Sequence, residues 1–578
     1  MRDVFHAIRL PLLLSFTIAV SACSCDRGKN HTAEPARPGA DETFARLSEE
    51  QKIGQLLCLT IDPVGYFLIP EYRDKIQNLV GKCHPGALYF LTDPEKYTRV
   101  NIEEFNGVKL RGVVLDLQRL CDVSFLVAAD FGNGAWFWDH TATRFSSSMA
   151  LGATCSPAMS FREGKITAHE AIAQGVNWLF APVTSLGSEC GSARLDPRSF
   201  GSDPDSVAEF VAQFVKGTQD TGAAVCLISL SSDNEGFTDY SKPIASGVSA
   251  GAQSIMGSPV ETPESREPQA AEPSDRPKAV LAERYGFTGL VVRRLSEKSM
   301  WTPDDSGMSA FVESFASSQD MLVFPDDPDR IEPYLDFLLT RLLLKKTNVE
   351  AVNPSVRKIL ALKEKLNLHR IGRNQDQAIS GLGIREYRQT ALDIAKASLT
   401  LLKNDGGLIP LKDRGRSTLF VTISDSSSTV EATTFIGDLE KTHPELKQIN
   451  ILGTTDSRIV IEVLRRAGEA KTVVCTFFLK PAPSSRASGL TKDHLSLMQR
   501  LIDVNRNCIC ISFSGPCLIN VLPGVKAFLA AYSLTPMDTN AALGALLGES
   551  SVSGRLPFAL SEEYPMGFGL SLPGPASR

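Results

Sequence analysis

The sequence predicts an α/β protein: a TIM-type (β/α)8 barrel followed by a smaller α/β domain. Two observations carry that reading. Between residues 45 and 365, eight short apolar runs alternate with helix-like amphipathic stretches. After a polar break, a second and shorter series of apolar runs begins. The eight runs are continuous rather than alternating, as parallel strands covered on both faces should be. An open doubly wound sheet fits the same pattern. Eight units in about 300 residues fit a closed barrel.

The first 22 residues read as an export signal. Arg2 and Arg9 precede an apolar run, Leu10 to Val20, that is too short to span a bilayer comfortably. It ends in Val20-Ser21-Ala22-Cys23, which resembles the bacterial lipobox. That resemblance implies acylation of Cys23 and a lipid anchor in the cell envelope, with Ser24 after the cysteine pointing to the outer membrane. A soluble secreted protein is the alternative. Residues 23–44 are polar with Pro and Gly and read as a flexible tether.

The barrel is expected over 45–368. Its runs are 55–61 (QLLCLTI), 85–91 (PGALYFL), 124–130 (SFLVAAD), 177–183 (NWLFAPV), 222–230 (GAAVCLISL), 252–258 (AQSIMGS), 289–295 (GLVVRRL) and 320–326 (DMLVFPD). Between the fourth and fifth, Val207, Phe210, Val211, Phe214 and Val215 recur at helical spacing within 204–221. Barrel active sites sit at the C-terminal ends of strands, which places Asp62, Asp130 and Asp326 where chemistry would occur. Residues 260–278 carry four prolines and read as a surface loop. Helix 355–368 closes the domain and 369–385 links it onward. The second domain, 386–578, opens with a helix over 386–402. Apolar runs follow at 417–424, 448–452, 471–479, 507–514 and 525–532.

Composition bounds the function classes. The 578 residues are 43% hydrophobic and 22% charged, values that exclude a disordered or collagenous chain. Net charge is −6 and no Lys/Arg block exceeds two residues, so nucleic acid is not an expected partner. Of twelve cysteines, assigning Cys23 to lipid leaves an odd eleven, and no CxxC occurs. Several lie inside apolar runs and read as small buried hydrophobes. Neither a zinc site nor a disulfide framework is indicated.

Several segments resemble glycoside hydrolase family 3. Residues 50–61 (EQKIGQLLCLTI), 143–152 (TRFSSSMALG), 175–183 (GVNWLFAPV) and 198–204 (RSFGSDP) are similar to its barrel motifs. Residues 398–411 (SLTLLKNDGGLIPL) and 554–569 (GRLPFALSEEYPMGFG) are similar to its second-domain motifs. The resemblance covers about residues 45–570, with motifs in family order. It implies a (β/α)8 barrel, an α/β sandwich, a sugar pocket at the barrel mouth and no cofactor. The β-N-acetylhexosaminidase branch is the nearest, acting on GlcNAc- or glucose-containing saccharides.

The same comparison exposes departures. Retaining hydrolysis needs a carboxylate nucleophile and a proton donor. The family nucleophile is the Asp closing "GFDGVVISD". Here the run is GFTGLVVRR, and Arg294 falls at that position. The family's "KHFPGHGDT" segment has no counterpart: residues 226–235 read CLISLSSDNE, and no histidine lies between His169 and His369. The Glu of "DQEGG" is absent after Asp130, where Trp136, Phe137 and Trp138 follow. Asp130 and Arg198 match sugar-binding positions of the family. They are read either as a residual carbohydrate pocket, with the aromatics at 136–138 offering stacking faces, or as a structural ion pair. Arg294 is a candidate partner for Asp130 or Asp326. Substitute catalytic carboxylates are Glu235, Asp233 or Asp239 as acid and Glu297 or Asp326 as base. The expectation is a degenerate relative that retains part of a sugar pocket; an active glycosidase with relocated carboxylates is the alternative. No protein partner and no metal ligand set is readable.

Overall fold

A computed structural model of the protein describes residues 39–92, 105–187, 190, 196–229, 241–257, 277–295, 318–343, 349–368, 381–412, 417–426, 428–453, 456–479 and 490–575. The export segment, Cys23, most of the tether, Asp233, Glu235, Asp239, nearly all of the proline-rich loop and Glu297 lie outside the described residues.

Eight parallel strands close into a barrel in chain order. They are β1 (Leu57–Ile61), β2 (Ala87–Phe90), β3 (Leu126–Ala129), β4 (Trp178–Leu179), β5 (Ala224–Ile228), β6 (Ser254–Met256), β7 (Leu290–Arg294) and β8 (Met321–Val323). Closure is made by β8 against β1, with Leu57 opposite Leu322 and Cys58 opposite Val323. Each strand falls inside one of the eight apolar runs, and seven are buried throughout; only β7 ends on two unburied residues, Arg293 and Arg294. Burial on both faces explains the unbroken apolar runs.

The helix Pro204–Gln219 shows how the outer ring is made. Asp203 caps it by accepting from the Ser206 N–H, and Pro204 opens its first turn. Its apolar stripe is buried as the spacing predicts. It packs on helix Pro157–Ala173 so closely that a Cβ at Gly217 would lie 2.0 Å from the Phe161 carbonyl oxygen. Neighbouring backbone, not turn geometry, therefore requires glycine there.

The N-terminal face of the barrel is held by one buried carboxylate. Asp320, just before β8, accepts from Ser355 Oγ at 2.6 Å, from Lys278 Nζ at 2.9 Å and from the Val291 N–H at 3.0 Å. Lys358 Nζ adds a contact at 3.3 Å. Burial pushes this carboxyl up, but the two lysines and the two hydrogen bonds outweigh it and hold its pKa below the usual carboxylate range. The closing helix, Asn353–Lys365, is thereby fastened to β7 and β8.

The second domain is a six-stranded sheet in the order β11-β10-β12-β13-β14-β9. Its strands are β9 (Thr400–Asn404), β10 (Thr418–Ser424), β11 (Lys447–Leu452), β12 (Thr472–Phe478), β13 (Cys508–Ser512) and β14 (Ala527–Ala530). β9 is antiparallel to β14, and the remaining pairs are parallel. The expected helix over 386–402 is corrected here: it spans Arg385–Ser398 and gives way to β9, because Thr400, Leu401 and Leu402 are buried by sheet pairing. The tether is also shorter than expected. Helix Ala40–Arg46 starts within it, since Phe44 is buried with the Arg357 guanidinium 3.9 Å and Lys52 4.5 Å from its ring.

The two domains join through the segment 143–153. Ser146 Oγ donates to Asp538 at 2.6 Å, and the Ser147 N–H donates to Ser533 Oγ at 2.6 Å. Burial pushes the Asp538 carboxyl up to about 6. A disulfide between Cys190 and Cys517 spans the same junction. This corrects the expectation that no disulfide is indicated; partners 327 residues apart leave no spacing signature. Among the described residues, eight further cysteines are free, six of them buried.

Two outcomes are expected. Asp320→Ala removes a buried, multiply bonded charge and lowers stability by about 3–5 kcal/mol in denaturant unfolding. Because the Asp320 pKa is lowered, its stabilisation is present above about pH 4 and fades as pH falls, so the difference from wild type narrows in acid. Glu163 behaves oppositely. It is fully buried, neither carboxylate oxygen has a hydrogen-bond partner among the described residues, and burial pushes its pKa well up. Its cost therefore grows as pH rises above about 4. Glu163→Leu should raise stability at pH 8 by about 1–3 kcal/mol and flatten the pH dependence of Tm; no gain at pH 8 would contradict this.

Candidate functional site

Active sites of closed parallel barrels lie at the rim where the strands end. Asp130 follows β3 and Arg294 ends β7. In a ring of eight strands those two are opposite one another. Arg294 Nη2 reaches Asp130 Oδ2 at 3.5 Å, so the pair bridges the mouth. Of the two partners considered for Arg294, the structure selects Asp130.

Tyr89, the penultimate residue of β2, organises the pair. Its hydroxyl donates to the same Asp130 oxygen at 2.6 Å, and the Arg294 guanidinium lies 4.5 Å from its ring centroid. The ring in turn stacks on Phe180 at 5.3 Å with an interplanar angle of 13°. Burial and then the Asp130 charge push the Tyr89 phenol up, so it stays a protonated donor. Burial pulls the Arg294 pKa down, but Tyr89 and Asp130 more than compensate, and the net shift is upward. Arg294 is therefore a fixed cation. Beneath lie Cys58 of β1 and Cys226 of β5, both fully buried with thiols pushed up by desolvation.

Arg198 does not pair with Asp130. Its Nε and Nη2 form a two-pronged contact with Asp196, the shortest at 2.7 Å. The Asp196 hydrogen bond is the main cause of its raised pKa; the Asp130 charge adds to it and the Arg294 charge opposes it. Arg198 thus shares an electrostatic neighbourhood with the mouth pair. Asp326, after β8, accepts from Tyr72 Oη at 2.6 Å, and that hydroxyl accepts the Asp62 N–H at 3.0 Å. Asp62 itself caps the helix Pro63–Leu68. Of the three strand-end aspartates, Asp130 takes part in the arginine bridge, while Asp62 and Asp326 are gathered around Tyr72.

The aromatic platform expected at 136–138 is not formed as such. Trp138 is fully buried against Phe90 and Phe131. Trp136 is partly buried, with the Arg144 guanidinium 3.9 Å from its ring. Hydrophobic burial took one of the three aromatics read as stacking faces, Trp138, while Trp136 and Phe137 are only partly buried. Sequence reasoning missed Tyr89, Tyr72, Phe180 and Asp196; the only signal for Tyr89 was a polar-tipped aromatic inside an apolar strand. Among the described residues, no group of three or more His, Cys, Asp and Glu side chains could hold a metal ion.

Comparison with known proteins places this geometry in a family. Residues 48–232 match the model of the glycosyl hydrolase family 3 N-terminal domain, and residues 399–565 match that of its C-terminal domain. A beta-N-acetylglucosaminidase/beta-glucosidase of Cellulomonas fimi is 26% identical over 401 residues, covering 64% of this chain and 67% of its own. A periplasmic beta-glucosidase of Salmonella typhimurium is 22% identical over 441 residues, covering 68% of this chain and 52% of its own. Among solved structures, a family 3 beta-N-acetylglucosaminidase from Paenibacillus superposes with a TM-score of 0.70 at 21% identity, covering 89% of this chain and 99% of that one. Both family models are matched in order, on the barrel and on the second sheet respectively, and the chain belongs to glycosyl hydrolase family 3.

Proposed function

We propose that this chain is an envelope lipoprotein of the family that no longer hydrolyses glycosides through the family residues and retains a saccharide pocket. The observation that carries the reading is Arg294 at the end of β7, bridged to Asp130. The motif resemblance puts Arg294 at the nucleophile position. A guanidinium has no lone pair to attack an anomeric carbon. Its positive charge also opposes the oxocarbenium-like transition state of glycoside cleavage. A single replacement at this position therefore removes the nucleophile and adds a repulsive charge.

What remains suits binding. Asp130 offers a carboxylate to sugar hydroxyls, Arg198 offers guanidinium donors, and the relatives named above act on glucosides or N-acetylglucosaminides. Anchoring would proceed through Cys23, the last residue of the lipobox-like run. Attachment by diacylglycerol plus an amide-linked chain supplies the two hydrophobic anchors that stable membrane residence requires.

The test is turnover by the full chain on 4-nitrophenyl β-N-acetylglucosaminide and β-glucoside. No release above the protein-free blank is expected, and Arg294→Asp alone should not restore it, because a proton donor is missing as well. Release that disappears in Asp326→Asn or Glu235→Gln would establish relocated catalytic groups and overturn the proposal. For the anchor, the exported chain should partition into detergent and Cys23→Ala should shift it to the aqueous phase. A wild-type chain found in the aqueous phase would refute lipidation.

A further inference from the structure

The mouth carries cationic groups where the chemistry of cleavage calls for an anion. Arg294 is 44% exposed at its side chain and Arg198 59%. Arg294 has five N–H donors in a rigid plane. The hydrogen bond described from them to a carboxylate is the contact to Asp130 at 3.5 Å, the outer limit of such a bond. Meanwhile the Asp130 oxygen it meets is already held by Tyr89 Oη at 2.6 Å. The ion pair is thus weak from the side of the arginine, and Asp130 has a hydroxyl donor of its own.

The orientation of Arg294 is nonetheless fixed. Its guanidinium is seated over Tyr89, which is stacked on Phe180. Tyr89 and Asp130 engage only part of the donor set of the guanidinium, whose side chain is 44% exposed, so N–H groups remain for a ligand. A planar fork held this way matches a carboxylate, which it can grip through two parallel hydrogen bonds. Arg198 already displays that mode with Asp196, Nε donating to Oδ1 and Nη2 to Oδ2.

We infer that the barrel mouth recognises an acidic saccharide, a uronic acid or other sugar acid, whose carboxylate is gripped by Arg294 while Asp130 accepts sugar hydroxyls. This rests on the saccharide-binding reading above and specifies its ligand class. The charge change at Arg294 then has a positive role, selecting against neutral sugars by leaving its donors unmatched.

The experiment is calorimetric titration of the full chain with methyl β-D-glucuronide, its neutral methyl ester, and methyl β-D-glucoside. The glucuronide should bind at least tenfold more tightly than either neutral ligand, and the advantage should shrink in high salt. Arg294→Met should abolish the advantage, while Arg294→Lys, with charge but no fork, should recover only part of it. Equal binding of all three ligands would overturn the acidic preference and leave a saccharide site standing. Binding of none would overturn both readings. A glucuronide preference that survives Arg294→Met would show that Arg294 is not the reader. The ester comparison needs no mutation, so it holds even if a variant fails to fold.

Discussion

The fold depends on a buried charge that is fully answered. Asp320 gathers two lysines, a serine and a backbone N–H from three separate elements at the N-terminal face of the barrel. Its partner Val291 lies in β7, three residues before Arg294. The strand that delivers the mouth arginine is therefore registered from below by a carboxylate. A parallel barrel can afford such a group only at its ends, because its strands are buried on both faces and an unanswered charge between them would be ruinous. The Asp320 cluster sits at one rim and the Asp130–Arg294 pair at the other.

At the upper rim, a charged residue ends a strand that pairs through its backbone. β7 continues past its buried residues, pairs with β8 through Val292, Arg293 and Arg294, and presents a side chain inward at its last position. Whether that side chain is carboxylate or guanidinium matters little to the sheet. It decides whether positive charge can develop nearby. Fold is thus held by several hundred residues and reaction class by a few, which is why family membership and activity have to be argued separately.

The sequence was informative where one physical effect dominated. Continuous apolar runs marked all eight barrel strands, because double burial imposes a single demand. The ends were overestimated, most clearly at β4, where a seven-residue run yields the two-residue strand Trp178–Leu179. β9 was hidden because 398–402 is apolar enough for either a helix end or an edge strand, and antiparallel pairing with β14 decides between them. At the site, Asp130, Arg198 and Arg294 could be singled out from motifs. Asp130 was legible only as one of two partners for Arg294, and Tyr89 and Asp196 not at all: Arg294 meets Asp130 because strands three and seven face each other across a closed ring. Trp138 was misread because burial of a tryptophan depends on neighbours distant in the chain.

The bond between Cys190 and Cys517 makes a covalent ring of the intervening chain. That ring encloses β5 to β13 and the proline-rich stretch 260–278. A single proteolytic cut anywhere inside it opens the ring without dividing the molecule. Nicked protein would stay in one piece and separate into two fragments only after reduction. In a compartment with proteases and no reductant, a cut within the ring leaves the chain covalently whole.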